Sequence, residues 1–137
     1  ENSVIRVREE LSKVFVGRGA FEEQVSQVFT QLRKKMAGSE AANFEMLSES
    51  MRNPKMRKIM YNQRKRLREL VTEFLTGFAN KKLIRKDLDI EALASGFLAM
   101  YDGLMVDVVL GFPDKLANGA WKATSSAIVK GSSPKVK

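Results

Sequence analysis

Two polar side chains stand where the surrounding pattern calls for apolar ones. Gln63 lies between Met60 and Leu67 on an apolar helical stripe, and Tyr101 sits beside Phe97 and Met100 on another. An amide and a phenol in such places suit binding. A buried amide left without a partner costs about 1–3 kcal/mol, so Gln63 must either bond a neighbouring backbone group or face a pocket. Tyr101 has the same two options, plain core or pocket wall. Met60, Met100 and Met105 would give that wall an adaptable apolar surface. Phe29, Phe44, Phe74 and Phe97 would close it, leaving room for a mostly hydrophobic ligand in a cavity of roughly 300–1,000 Å³.

Other chemistry is thinly provided for. The chain has no Cys and no His, which removes thiolate and imidazole metal ligands, disulfides and histidine-based acid–base or triad catalysis. Glu9 with Glu10 and Glu22 with Glu23 are adjacent pairs, which do not share a helix face and make no carboxylate dyad. The sequence therefore reads as a non-enzyme without metal or cofactor, and the lack of Cys fits a cytoplasmic location. The net charge of +8 suits an anionic partner or simply a soluble surface. Lys55, Arg57, Lys58, Arg64, Lys65, Arg66 and Arg68 are the obvious phosphate-binding cluster. They spread around the whole non-apolar arc of one helix, as a solvated face does, whereas phosphate binding needs them on one surface.

The elements that must position these residues are all helical. Apolar residues recur with helical period from about Ser3 to Val16 (Val4, Val7, Leu11, Val14) and from about Ala20 to Met36 (Phe21, Val25, Val28, Phe29, Leu32). Ser39 is a good N-cap for a short third helix bearing Phe44, Leu47 and Met51. Asn53-Pro54 opens a long fourth helix reaching about Asn80, with the cap and the proline each in a favoured place. Asp89 caps a fifth helix, about Ile90 to Leu110, and Pro113 opens a sixth that ends near Gly131. No stretch alternates with period two. The expectation is an all-α, six-helix domain over residues 1–131 with a disordered tail at 132–137.

The fifth helix is apolar nearly all round, which is normal only for a helix covered on every side. Asp102 and Asp107 interrupt its apolar run and keep it short of the ~18 residues of a membrane span. Leu93, Phe97, Met100, Tyr101, Leu104, Met105 and Val108 form a large face. Ala92, Ser95, Gly96, Ala99 and Gly103 form a small one, and the sixth helix clusters Leu116, Gly119, Ala120, Ala123, Ser126 and Ala127 in the same way. These small faces can pack on each other or on those of a second copy. The short Gly111-Phe112-Pro113 turn leaves both helices at one edge, which favours the second copy and a two-fold four-helix bundle. Asp102, beside the small face, would then pair with an Arg or Lys across the dimer.

The segment KKLIRKDLDIEALASGFLAMYDGLMVDVVLG, Lys81 to Gly111, resembles the C-terminal domain of TetR-family transcriptional regulators. The shared features are a basic-Asp-x-Asp start at Arg85 to Asp89, an Ala-rich turn at Glu91 to Ala94, and Asp-Gly-Leu at Asp102 to Leu104. The preceding NPKMRKIMYNQRKRLREL is similar to the family's asparagine-proline start of a long helix. The resemblance implies a homodimer through the last two helices, a ligand pocket in each subunit, and DNA contact through an N-terminal helix-turn-helix ahead of this chain. The first helix would then be the connector that carries the ligand signal. The function implied is the effector-binding and dimerisation domain of a DNA-binding repressor. A helical protein-interaction adaptor with a solid core is the alternative.

Overall fold

The computed structural model describes residues 2–36 and 38–134 of the chain. Six helices account for nearly all of them: α1 (Asn2–Val16), α2 (Phe21–Met36), α3 (Glu40–Ser50), α4 (Pro54–Asn80), α5 (Ile90–Val109) and α6 (Asp114–Ser132). The fold is all-α, and the helices fall within a residue or so of where periodicity puts them. Local chemistry explains most boundaries. The Asn53 side chain accepts from Lys55 N and Met56 N, with Pro54 directly after it, and Asp89 accepts from Ala92 N at 3.1 Å. Gly111, at φ 92°, ends the α5 segment in a left-handed conformation that a Cβ would strain.

Ser39 departs from the expected cap. It is in the right-handed helical region and makes no side-chain cap bond; its hydroxyl instead donates back to Met36 O at 2.7 Å. The Glu40 carboxylate takes over as the local acceptor, from Gly38 N at 2.9 Å. The C-terminal boundary also shifts. Ser132 is the last residue of α6 and is buried, and its carbonyl accepts from Arg85 N at 2.8 Å. Order thus continues past Gly131, while the remainder of the expected tail, residues 135–137, lies outside the described residues.

The core has two connected parts. One surrounds Phe29, which has no exposed surface, and includes Leu11, Val28, Leu32, Leu70, Met105 and Trp121. The other holds Leu75, Phe78, Ala79, Ile84 and Ala94. Phe15, Phe74 and Phe97 touch both. Helix α6 packs chiefly on α2: Trp121 stacks on Phe29 at 5.7 Å, and its indole N–H donates to Val25 O at 2.9 Å. That bond satisfies the one polar atom of a large buried ring. Ser126 Oγ adds a bond of 2.5 Å to Glu22. These contacts set Trp121 against α2 and leave Gly119, Ala123 and Ala127 exposed.

Candidate ligand cavity

Between the helices lies a cavity of about 620 Å³, with walls that are mainly aliphatic and aromatic. Helix α1 supplies one wall through Ser3, Val7, Leu11 and Phe15, spaced four apart and hence on one face. Helices α2, α4 and α5 supply the others. Asn43, Leu47, Arg57 and Tyr61 are exposed and also line it, so the cavity opens between α3 and the first half of α4. Its inner end is aromatic. Phe15, Phe21 and Phe78 meet with centroids 4.7–6.3 Å apart, and Phe74 adds contacts to Phe15 and Phe78.

Of the pocket candidates read from the sequence, Phe44, Met60, Gln63, Phe74, Phe97, Tyr101 and Met105 are brought together around this cavity. Phe29 and Met100 are not. Phe29 is wholly buried behind the wall, its ring 5.4 Å from Tyr101 and stacked on Trp121, and Met100 packs against the core around it. Wheel position alone does not separate a wall from the layer behind it. Phe15 and Trp121 are lining residues that the reading missed. Phe15 continues the four-residue spacing of Val7 and Leu11, and that signal was available.

The polar lining groups are mostly paired with protein. Gln63 Nε2 donates to Ser3 Oγ at 2.6 Å, so its partner is a side chain of α1, and the expected backbone bond is replaced by one between helices. Asp102 meets Arg64 of the same chain at 2.6 Å. Asp102 thus has a partner within its own chain. Burial still pushes the Asp102 carboxyl above the usual range, with Arg64 pulling the other way. Arg57 donates to the carbonyls of Ser50 and Met51 and closes the C-terminal end of α3. Tyr101 differs from these. Its hydroxyl has no hydrogen-bond partner among the described residues, and burial pushes its pKa up to about 12.

This arrangement can bind an apolar ligand. Among the described residues, no three of Asp and Glu gather closely enough to hold a metal ion. The nearest thing to a charge device is the neutralised Arg64–Asp102 pair. The solvated reading of the basic α4 face needs one refinement: Arg57, though exposed, and Arg64 are engaged in the bonds above, while Lys55, Lys58 and Lys65 are simply exposed.

The outer side of α5 and α6 is bare. Ala92, Gly96, Ala99, Gly103, Leu116, Gly119, Ala123 and Ala127 are exposed, and Ala120 is half-buried. A Cβ built on Gly96, Gly103 or Gly119 would meet nothing within 4 Å, so the two small faces do not fill each other. Val106, Val109, Leu110 and Phe112 extend the apolar surface. By length and composition alone α5 is apolar enough to cross a membrane, despite the two aspartates, yet only 11% of its most apolar window is buried within the chain. Its large face lines the cavity and its small face is uncovered.

Compared with known families, residues 20–131 match the model of the BetI-type transcriptional repressor, C-terminal. No curated protein and no solved structure matches the chain.

Proposed function

The chain belongs to the family of BetI-type transcriptional repressor C-terminal domains, and from that premise we propose that it binds a small, mostly hydrophobic effector and dimerises to control a DNA-binding repressor. The observation that carries the ligand half is the 620 Å³ cavity of which α1 forms a wall. Its volume is that of ordinary small-molecule sites. A helical adaptor would have no use for such a space, whose unfilled lining forfeits packing.

The regulatory route follows from what α1 touches. An effector in the cavity contacts Val7, Leu11 and Phe15 directly and lies beside the Ser3–Gln63 bond. If DNA-reading heads are joined to α1, a shift of that helix alters their separation, which must match half-sites about 34–36 Å apart. The effector acts only to the extent that it prefers one position of α1 over the other.

The dimer half rests on the uncovered faces of α5 and α6, which in a two-fold four-helix bundle would cover one another. Ala99→Trp tests it, since an indole on the small face holds the helices apart without touching the core. Sedimentation equilibrium at micromolar concentration should give twice the chain mass for the parent and the chain mass for the variant, with equal helicity by circular dichroism. A monomeric parent would sink the proposal.

A further inference from the structure

We infer that the effector is an uncharged amphiphile, an extended apolar body ending in one oxygen that accepts a hydrogen bond from Tyr101. This deepens the reading of the cavity as an effector site and rests on it. The inner end, walled by Phe15, Phe21, Phe74 and Phe78, offers only ring faces and edges and takes the apolar body. Charge is confined to the other part of the lining, where Glu40 and Asp102 are matched by Arg57 and Arg64. Most of those groups are already engaged. Arg64 holds Asp102 at 2.6 Å, Arg57 serves two α3 carbonyls, and Glu40 accepts from Gly38 N and faces Arg33.

Beside the half-buried Tyr101, a carboxylate or ammonium headgroup would lose hydration that these engaged side chains return only in part, which costs more than placing a neutral oxygen there. Tyr101 supplies the complementary group. Tyr101 lines the cavity, its hydroxyl has no hydrogen-bond partner among the described residues, and its raised pKa keeps it a donor throughout the neutral range.

Trp121, the single tryptophan of the chain, lines the same cavity and provides a built-in reporter. Its fluorescence is titrated at neutral pH with three ten-carbon probes that differ only in headgroup: 1-decanol, decanoate and decyltrimethylammonium. Decanol should bind about tenfold or more tighter than either charged probe. Tyr101→Phe should weaken decanol about 3–10-fold, the worth of one neutral hydrogen bond, and leave the charged probes unchanged. A charged probe binding as tightly as decanol, or an unchanged decanol affinity in Tyr101→Phe, overturns the inference while leaving the cavity as an effector site. If none of the three perturbs Trp121, the effector-site reading falls with it. Circular dichroism of Tyr101→Phe establishes that the ring packing on Phe29 survives.

Discussion

If α1 carries the effector's signal, the bond that ties it to the cavity should be measurable on its own. Among the described residues, Arg8–Glu73 and Gln63–Ser3 link α1 to α4. Arg8 makes two bonds to Glu73, at 3.0 and 3.2 Å, but both side chains are half or more exposed, and pairs of that kind contribute about 0–1 kcal/mol, less in salt. Gln63–Ser3, at 2.6 Å, is partly buried. An intramolecular hydrogen bond of this sort is worth about 0.5–1.5 kcal/mol, and its protein partner cannot be fully replaced by water inside an apolar wall. Gln63→Met keeps the side-chain volume and removes the bond. It should lower the local opening free energy of α1 by about 1 kcal/mol, so α1 amides exchange about fivefold faster. Arg8→Ala should produce a smaller change that vanishes at high salt. Amides of α2 and α6, joined through Trp121 and Ser126 instead, should keep their protection in both variants. Hydrogen exchange read by mass spectrometry resolves the helices. Uniform loss of protection across the chain, or a larger effect from Arg8 than from Gln63, would refute the assignment of Gln63 as the principal tether.

Acid should loosen the α1–α2 contact. Glu10 is 3% exposed, and its carboxylate accepts from Gln31 Nε2 at 2.7 Å, which together with Lys13 holds its pKa below the ordinary 4.5 against the opposing effect of burial. A depressed folded-state pKa stabilises above the unfolded value and loses that contribution as pH falls through the folded one, so the urea midpoint should drop below about pH 4.5. Gln31→Met should flatten that limb, and an unchanged acid limb would count against the bond. Phe29→Ala removes a wholly buried ring and should cost about 3–5 kcal/mol in urea unfolding. A cost under about 1 kcal/mol would place Phe29 at the cavity surface, where space already exists.

Helix positions were legible because their signals are local: Asn53-Pro54 and Asp89 act within one turn, and the i, i+4 rows of α1 and α4 declare an inner face. Ser39 failed as a cap because a hydroxyl can serve the preceding helix as well as the following one, and Glu40 was at hand to compete. That Phe29 and Met100 lie outside the cavity lining has another origin. A wheel orders residues by angle and carries no depth, so Phe29 and Met100 looked equivalent to Phe97 and Tyr101. Only the packing of α6 on α2, through Trp121, shows that Phe29 lies a layer behind. Asp102 was not matched to its partner within the chain for a related reason. Its partner Arg64 is 38 positions away, and charge complementarity at that separation depends on which face α4 turns to α5, which no local pattern encodes.

The same depth argument explains the composition of α5. A helix whose neighbours all lie on one side needs one apolar stripe, and a polar outer face costs it nothing. In α5 the apolar residues continue around to Ala92, Gly96, Ala99 and Gly103, where glycine sacrifices about 1 kcal/mol of helix propensity relative to alanine at each interior site. Nothing within the chain recovers that loss, since these positions face open space. Close approach of another helix backbone would recover it. The inward residues tell a parallel story, because Phe97, Tyr101 and Met105 border unfilled volume, which forfeits packing unless a ligand occupies it. On the proposed reading, both faces of α5 are apolar for partners outside the folded chain, an effector on one side and a second subunit on the other. A single helix would then be the wall through which effector occupancy and subunit packing bear on each other.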